Sequence, residues 1–342
     1  MTPAGELLAE EIGRSGPIPF RRFMEVALYH PQHGYYRRPR DPFGREGDFY
    51  TAEQIQPVFG ALIAARIRQL WRDLGRPADF TVVELGAGRG EMAPAFSEWR
   101  YLPVEIGSGE LPPRVDGVVF SNEFFDALPI DVAVYTKGEF RQQLVNFTNG
   151  RFVWKPGDAA TPEMVDYLRR YVPPPEEGRW YEVNLSALAW VERIGRALRS
   201  GWVLTIDCGY TLPEVIRFPR GTLISYRRHT ALDDVLDDPG VRDITAHVNF
   251  TAIERHGAAC GLRAERLETL GQTLLGAGEE QFAAALASAE PAEELRRRLQ
   301  LKTLLVGMGE TFRVLWQQRE GLEFRREKPV IMKKAPETGA LE

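Results

Sequence analysis

Polar side chains follow three short apolar segments between Thr81 and Pro129, and they are the chain's clearest candidates for chemistry. They are Glu84 after the first segment, Glu105 after the second, and Asn122, Glu123 and Asp126 after the third. The carboxyl ends of the strands of an open α/β sheet form the edge at which ligands bind. The sequence therefore predicts one ligand site made of these groups.

Glycines at alternate positions directly after Glu84 indicate which ligand that site binds. Gly86, Gly88 and Gly90 differ from the dinucleotide-binding pattern G-x-G-x-x-G, whose third glycine would stand at Glu91. A carboxylate two residues before the first glycine would repel a pyrophosphate, whereas it suits an ammonium and a sulfonium. S-adenosylmethionine carries both cations and no phosphate, so we expect it as the cofactor. The alternative is a glycine-rich turn that binds no ligand.

The predicted cofactor assigns roles to individual residues. Glu105 stands about twenty residues after the glycine turn, the spacing of a ribose-binding acid. The glycines let the backbone approach the ligand closely. The complete predicted cofactor set is Glu84, Gly86, Gly88, Gly90, Glu105, Asn122 and Thr51. Thr51 belongs to a charged loop before residue 52 that we expect to close over the cofactor and exclude water.

Two carboxylates that lie close together can bind a methyl acceptor that carries a positive charge. Glu123 and Asp126 can hold a guanidinium through paired hydrogen bonds, although Asp126 can instead cap a turn. His247 is a candidate proton acceptor because histidine titrates near neutral pH. A histidine within an apolar strand is also often purely structural. The predicted catalytic residues are therefore Glu123, Asp126 and His247, and no metal site is expected.

Composition excludes several other functions. The chain has 342 residues and a formal net charge of −5, which is the wrong sign for a general nucleic-acid binder. Its two cysteines, Cys208 and Cys260, provide no disulfide framework and no metal-binding spacing. The N-terminal residues resemble neither a secretory signal nor a transit peptide, and no apolar run approaches the ~20 residues of a membrane span. We therefore expect a cytoplasmic protein without membrane insertion.

Strand and helix patterns alternate along most of the chain, which predicts an α/β fold with a mostly parallel sheet and helices on both faces. Asn149-Gly150 marks a two-residue β-hairpin within an antiparallel insertion. The predicted organisation is an N-terminal arm with a lid loop at 1–52, a core at 53–131 and 181–318, an inserted β-hairpin sub-domain at 132–180, and a disordered tail at 328–342.

Several longer motifs carry a resemblance to a known family. They include IPFRRFMEVALYHPQHGYY at 18–36, GDFYTA at 47–52, ELGAGRG at 84–90, SNEFFDALP at 121–129 and DITAHVNFTAI at 243–253. In these stretches the chain resembles the MidA-like family. The resemblance implies a class I methyltransferase, Rossmann-like, that binds S-adenosylmethionine. The best-known member of the family is similar to symmetric protein-arginine methyltransferases and acts on a subunit of respiratory complex I.

The chain departs from the family pattern at Cys208, Asn249 and Gln54, where a tyrosine, an aspartate and a glutamate are usual. The span between Glu91 and Gly117 is also short. We expect a methyltransferase that transfers the methyl group to a nitrogen, namely that of an arginine in a partner protein. In the best-known family member that partner is a subunit of a respiratory complex, and we expect the same kind of partner here. The departures keep two alternatives open, which are a cofactor-binding assembly factor without turnover and a small-molecule methyltransferase.

Overall fold

The computed structural model describes residues 1–38, 52–107, 109–227, 230–232 and 234–319, and within three of these ranges it leaves out the side chains of Gln54, Arg227 and Ala231. The helices are α1 Pro3–Ser15, α2 Phe20–Tyr29, α3 Val58–Asp73, α4 Pro162–Tyr171, α5 Leu185–Ala197, α6 Phe250–Ala259, α7 Leu270–Leu275, α8 Glu279–Leu286 and α9 Pro291–Lys302. The strands are β1 Ile18–Pro19, β2 Thr81–Leu85, β3 Arg100–Val104, β4 Val115–Asn122, β5 Asp131–Thr136, β6 Glu139–Thr148, β7 Arg151–Ala159, β8 Trp180–Val183, β9 Leu198–Tyr210, β10 Ile224–Arg227, β11 Thr230–Leu232, β12 Asp243–Thr245, β13 Val248–Asn249, β14 Arg263–Thr269 and β15 Phe312–Arg319.

The central sheet has the order β3-β2-β4-β9-β15-β14, with β13 added beside the end of β9. Strands β3, β2, β4 and β9 are parallel, whereas β15 runs antiparallel to both of its neighbours. The carboxyl ends of β2, β3, β4 and β9 therefore meet at one edge, as the sequence predicts.

Alternate residues of each central strand face opposite layers of helices. Val82, Val118 and Leu204 pack in one apolar cluster with residues of α3, α7 and α8. Val83 and Val119 pack in a second cluster with residues of α5 and α6. A sheet buried on both faces has apolar residues at consecutive positions, which is the pattern of these strands.

A second, antiparallel sheet has the order β1-β6-β5-β8, with β7 paired to β6. The predicted hairpin is confirmed, since Asn149 and Gly150 have φ values of 51° and 77° between β6 and β7. Helix α2 packs on this sheet, where the ring of Phe23 lies 5.3 Å from that of Phe152. Helix α2 of the N-terminal arm thus packs on the insertion, while the domain boundaries stay a prediction.

Apolar residues recur at helical spacing from Ile55 to Leu74 and predict a helix from Glu53, but helix α3 begins five residues later, at Val58. A separate 3₁₀ turn covers Ala52–Gln54. Pro57 explains the difference, because a proline inside a helix has no N–H to donate and clashes with the carbonyl four residues earlier. As a result Glu53 lies on a turn beside the sheet edge and not on the surface of a long helix.

The crossover from β2 to β3, residues 86–99, consists of turns. Among the described residues, no helix has the length and apolar character that crossing a membrane requires. The predicted tail at 328–342 and the lid residue Thr51 lie outside the described residues.

Candidate functional site

Glu84 lies at the carboxyl end of β2 and is only 1% exposed. The hydroxyl of Tyr101, on β3, donates a 2.6 Å hydrogen bond to its Oε2 atom. The carboxyl of Glu53 contacts that of Glu84 and is itself 6% exposed. In the described part of the chain, the Oε1 atom of each carboxyl has no hydrogen-bond partner. Two buried carboxyls therefore lie in contact at the centre of the predicted edge.

This pair cannot carry two negative charges at neutral pH. Burial is the main cause that raises the pKa of Glu84 to about 7, from an ordinary 4.5. Burial and the neighbouring charge of Glu84 raise the pKa of Glu53 well above its usual range. Two carboxyls in contact share a proton, because two negative charges at this distance repel each other. The proton is lost when a cation binds between them. The pair is thus suited to a cationic ligand group.

The glycine turn and Glu105 are joined by a hydrogen bond. The N–H of Gly88 donates to the Glu105 carboxylate at 2.6 Å, and the N–H of Gly86 donates to the carbonyl of Val104 at 2.8 Å. Burial raises the pKa of Glu105, and the Gly88 hydrogen bond opposes that rise. The predicted ribose-binding acid therefore lies directly beside the glycines.

Left-handed backbone explains why glycines occupy this turn. Gly86, Gly88 and Gly90 have φ values of 72°, 54° and 74°. At Gly86 a Cβ atom would also lie 2.8 Å from the ring of Phe124, whereas Gly90 faces open space. The turn therefore depends on glycine for its conformation at all three positions, and for space at Gly86.

Glu123 follows β4 in an unusual backbone conformation, with φ at 53°. Its carboxyl accepts hydrogen bonds from Asn122 Nδ2 at 3.1 Å and from the N–H of Ala52 at 3.3 Å. Burial, followed by the charge of Asp126, raises the pKa of Glu123 to about 8. The side chain keeps some exposure, so a ligand can reach it. Non-glycine residues in this backbone region are concentrated at functional sites.

Asp126 contacts Asp207, which lies near the end of β9 and is fully buried. Asp207 accepts hydrogen bonds from the N–H groups of Phe125 at 2.9 Å and Cys208 at 3.1 Å. Asp126 also accepts from backbone N–H groups of its own turn. Burial is the main cause that raises the pKa of Asp126 to about 7. Asp126 thus orders a turn, which is one of its two predicted roles, whereas its role in holding a guanidinium stays a prediction.

Two tyrosines of the N-terminal arm lie beside this second pair. Tyr36 donates to Asp243 Oδ1 at 2.9 Å, and Tyr29 donates to the carbonyl of Ala127 at 2.8 Å. Their ring centroids are 5.5 Å apart. Burial raises the pKa of both hydroxyls well above the ordinary value, so both remain neutral donors. The arm therefore contributes aromatic surface to this end of the site.

His247 belongs to a segment whose backbone contacts Asp126, a member of the acidic pair Asp126 and Asp207. The preceding residue, Ala246, donates its N–H to the carbonyl of Asp126 at 3.0 Å. The His247 ring packs against Phe218 with centroids 5.4 Å apart, and its Nδ1 atom has no hydrogen-bond partner. Burial lowers its pKa, which keeps the ring neutral at pH 7. Its role as a proton acceptor stays a prediction.

The departures from the family pattern are partly explained by local structure. Asn249 caps α6 by accepting from the N–H of Ala252 at 3.1 Å, and its Nδ2 donates to the carbonyl of Tyr171 at 3.0 Å. Burial raises the pKa of Cys208, so its thiol stays protonated and is a poor nucleophile. The side chain of Gln54 is outside the described residues.

Sequence reasoning missed Glu53, Tyr101 and Asp207 as parts of this site. Asp207 could have been included, because it also follows an apolar strand segment. Glu53 and Tyr101 gave no comparable signal. In the described ranges, no set of three or more histidine, cysteine or acidic side chains is placed to hold a metal ion.

Comparison with known proteins adds independent findings. Residues 98–267 match the family described as putative S-adenosyl-L-methionine-dependent methyltransferase. The chain is 28% identical to the Drosophila melanogaster protein arginine methyltransferase NDUFAF7 homolog, mitochondrial, over 73% of this chain and 68% of that protein. It is 27% identical to the Homo sapiens protein arginine methyltransferase NDUFAF7, mitochondrial, over 75% of this chain and 69% of that one.

A solved structure is also similar. A likely methyl transferase from Burkholderia thailandensis, bound to S-adenosyl-homocysteine, superimposes with a TM-score of 0.82 at 29% sequence identity. The superposition covers 92% of each chain. The predicted α/β class I fold is thereby confirmed.

Proposed function

We propose that this chain, a member of the MidA-like family of S-adenosylmethionine-dependent methyltransferases, methylates an arginine side chain of a partner protein. Family membership confirms the predicted cofactor and the predicted class of reaction. The arginine acceptor, the partner and the role of each site residue form the proposal.

One observation supports a cationic acceptor above all. Glu123, Asp126 and Asp207 lie together near the ends of β4 and β9, and burial raises the pKa of each. The charge of Asp126 adds to the rise at Glu123 and at Asp207. Within the described part of the chain, no lysine or arginine forms an ion pair with any of the three. A group of carboxyls left without a cation is stabilised by a ligand that supplies one.

Arginine fits this group better than other cations. Its guanidinium stays charged at physiological pH and presents several N–H donors in a planar fork, which matches two carboxyls. Glu123 and Asp126 keep some exposure, whereas Asp207 is fully buried behind them. The relatives named above are arginine methyltransferases, which supports the same acceptor.

The other end of the site fits S-adenosylmethionine. Among the described residues, Glu105 accepts one hydrogen bond, from Gly88, and it can receive the two ribose hydroxyls. Asn122 has a buried Oδ1 without a partner, and Glu84 has an oxygen in the same condition. Glu84 would bind the cationic end of the cofactor, and the glycine turn would lie along its adenosine. When bound, the cofactor supplies a methyl group activated by the sulfonium.

The residues of the chain then act mainly by positioning. Glu123 holds the guanidinium, orients one nitrogen for in-line attack, and accepts the proton that the nitrogen loses. Asp126, supported by Asp207, holds the far side of the guanidinium. Tyr29 and Tyr36 limit water on this side. The partner we propose is a respiratory complex subunit, by resemblance to the complex I assembly member of the family.

Methyl transfer to arginine can be tested with a labelled cofactor. The protein is incubated with methyl-labelled S-adenosylmethionine and a host protein extract, and the labelled proteins are hydrolysed to amino acids. We expect the label in methylarginine, and none after the same treatment with Glu123→Gln. Label in lysine, histidine or a small molecule would contradict the arginine acceptor. A partner that binds without ever being methylated would favour the assembly-factor alternative.

A further inference from the structure

The contact between Glu53 and Glu84 has a consequence for cofactor binding. The two side chains are 6% and 1% exposed, and each has an Oε1 atom without a hydrogen-bond partner among the described residues. Glu53 reaches this position from the turn before α3, and Glu84 from the end of β2. Two carboxyls can share a hydrogen bond only if one of them carries a proton. The unliganded site therefore stores a proton at the centre of the sheet edge.

Within the described residues, no cation near the pair would release this proton. The charged groups that act most on it are Glu91 from the crossover, Glu105 directly after β3 and Glu123 directly after β4, and all three are acidic. The nearby donor, Tyr101, is neutral and its pKa is raised by burial and by Glu84. Arg89 pairs with Glu91 through Nε at 2.8 Å. In the described part of the chain, neither Glu53 nor Glu84 forms an ion pair.

We propose that Glu53 is a second cofactor-binding residue, and that the ammonium of S-adenosylmethionine displaces the proton shared by Glu53 and Glu84. This rests on the cofactor site proposed above but not on the identity of the acceptor. The proton moves from the carboxyl pair to solvent as the ammonium takes its place. Both carboxylates then face a cation, so their mutual repulsion is offset.

Proton displacement makes cofactor affinity depend on pH. A carboxyl whose pKa falls when a cation binds releases its proton on binding, and affinity then rises with pH. With the pKa of Glu84 at about 7, the rise covers the range just below neutrality. One released proton corresponds to roughly a tenfold gain in affinity per pH unit. Adenosine ligands without an ammonium have no such dependence.

Calorimetry in buffers of different ionisation enthalpy measures the number of protons released. At pH 6.5 the cofactor's amino group is itself fully protonated, so only the protein contributes. We expect the intact protein to release close to one proton, about 0.5 to 1, on binding S-adenosylmethionine or S-adenosylhomocysteine. With 5′-methylthioadenosine, which has no amino-acid part, we expect no release.

The variant Glu53→Gln separates this role from a structural one. Its amide donates permanently to Glu84, which leaves no shared proton, so we expect saturable binding with little proton release and a flat pH profile. Glu98→Gln is the matched control, because Glu98 is exposed and pairs with Arg68 at 2.8 Å. It should behave like the unchanged protein.

Two results would overturn the proposal alone. They are saturable cofactor binding without proton release in the unchanged protein, and equal proton release in Glu53→Gln. A complete absence of S-adenosylmethionine binding would instead contradict the cofactor site and this proposal together. Proton release with 5′-methylthioadenosine would show that the ammonium is not the displacing group.

Discussion

Glu123 combines a left-handed backbone with a carboxyl whose hydrogen-bond donors, among the described residues, are neutral. Its φ is 53°, and its partners are Asn122 and the backbone of Ala52. Such a conformation costs free energy of order 1 kcal/mol or more, and surrounding structure has to maintain it. In this chain the Glu123 N–H is held by the carbonyl of Ile206 at 2.9 Å. The residue is thus fixed to β9 while its carboxyl faces the proposed acceptor.

Replacing Glu123 by glutamine tests its role at the residue scale. The variant keeps the shape and the acceptor oxygen but loses the charge that holds a guanidinium. We expect turnover to fall by at least ~100-fold, the scale of a lost electrostatic contact in an active site. Cofactor affinity, measured by calorimetry, should change little. Full activity of the variant on a verified substrate would refute the acceptor role of Glu123.

Individual site residues were predictable where they followed strands in the sequence. Glu84, Glu105 and Glu123 each end an apolar segment, and the rule for open sheets places such ends together. Glu53 was not predictable, because its burial depends on a turn that precedes Pro57 and on contact with a strand some thirty residues later. Tyr101 was also missed, since its hydrogen bond to Glu84 depends on the pairing of β2 with β3.

At the scale of elements, the glycine turn that follows β2 packs against the segment that follows β4. Gly86 lies against Phe124, which comes directly after Glu123. The turn therefore lies against both the proposed cofactor-binding acids and the segment that carries the proposed acceptor carboxyl. A change of volume at Gly86 would move Phe124 and, with it, the backbone of Glu123.

Alanine at Gly86 and at Gly90 provides a matched comparison. Both positions have positive φ, so each substitution costs about 1 kcal/mol of strain. Only at Gly86 would the new Cβ atom also lie 2.8 Å from the ring of Phe124. We expect Gly86→Ala to lose more stability and to weaken S-adenosylmethionine binding more strongly than Gly90→Ala. Equal effects of the two variants on thermal unfolding and on binding would contradict this reading.

Asn249→Asp tests whether a departure from the family pattern affects function. The aspartate keeps the oxygen that caps α6 but cannot donate to the carbonyl of Tyr171. We expect a loss of about 1 kcal/mol in unfolding free energy, typical of one buried hydrogen bond. Methyl transfer should be unchanged. A large gain in activity would instead show that position 249 belongs to the acceptor site.

The elements themselves were mostly predictable, with exceptions that have physical causes. The parallel strands, the hairpin at Asn149 and the helices α5 and α6 follow from periodicity and turn residues. The position of α2 against the antiparallel sheet did not follow, because an apolar helix face does not specify which sheet it covers. Sheet order is likewise set by packing between distant segments rather than by local sequence.

Over the whole molecule, the site concentrates carboxyls whose pKa values are raised by burial. In the folded protein the pKa of Glu84 is about 7, compared with an ordinary 4.5. The folded state therefore binds more protons than the unfolded state across this interval, which lowers stability as pH rises. His247 acts in the opposite direction below its ordinary pKa of 6.5, because burial lowers its folded value. The buried carboxyls outnumber His247, so we expect them to set the direction in which stability changes with pH.

Unfolding of the unliganded protein in denaturant measures this balance. We expect the free energy of unfolding to fall between pH 5.5 and 7.5, and to fall less steeply in Glu84→Gln. The largest difference in slope that one carboxyl can cause is about 1.4 kcal/mol per pH unit. Saturating S-adenosylmethionine should flatten the profile as well. Stability that rises across this range in the unliganded protein would contradict the raised pKa values.

The central claim is that cofactor and acceptor meet at the edge formed by β2, β3, β4 and β9. A crystal structure of this protein with S-adenosylhomocysteine and an arginine peptide tests it most directly. We expect the ribose hydroxyls within hydrogen-bond distance of Glu105, the ligand ammonium beside Glu84, and the guanidinium between Glu123 and Asp126. A ribose bound away from Glu105, or a guanidinium that contacts neither Glu123 nor Asp126, would contradict the account.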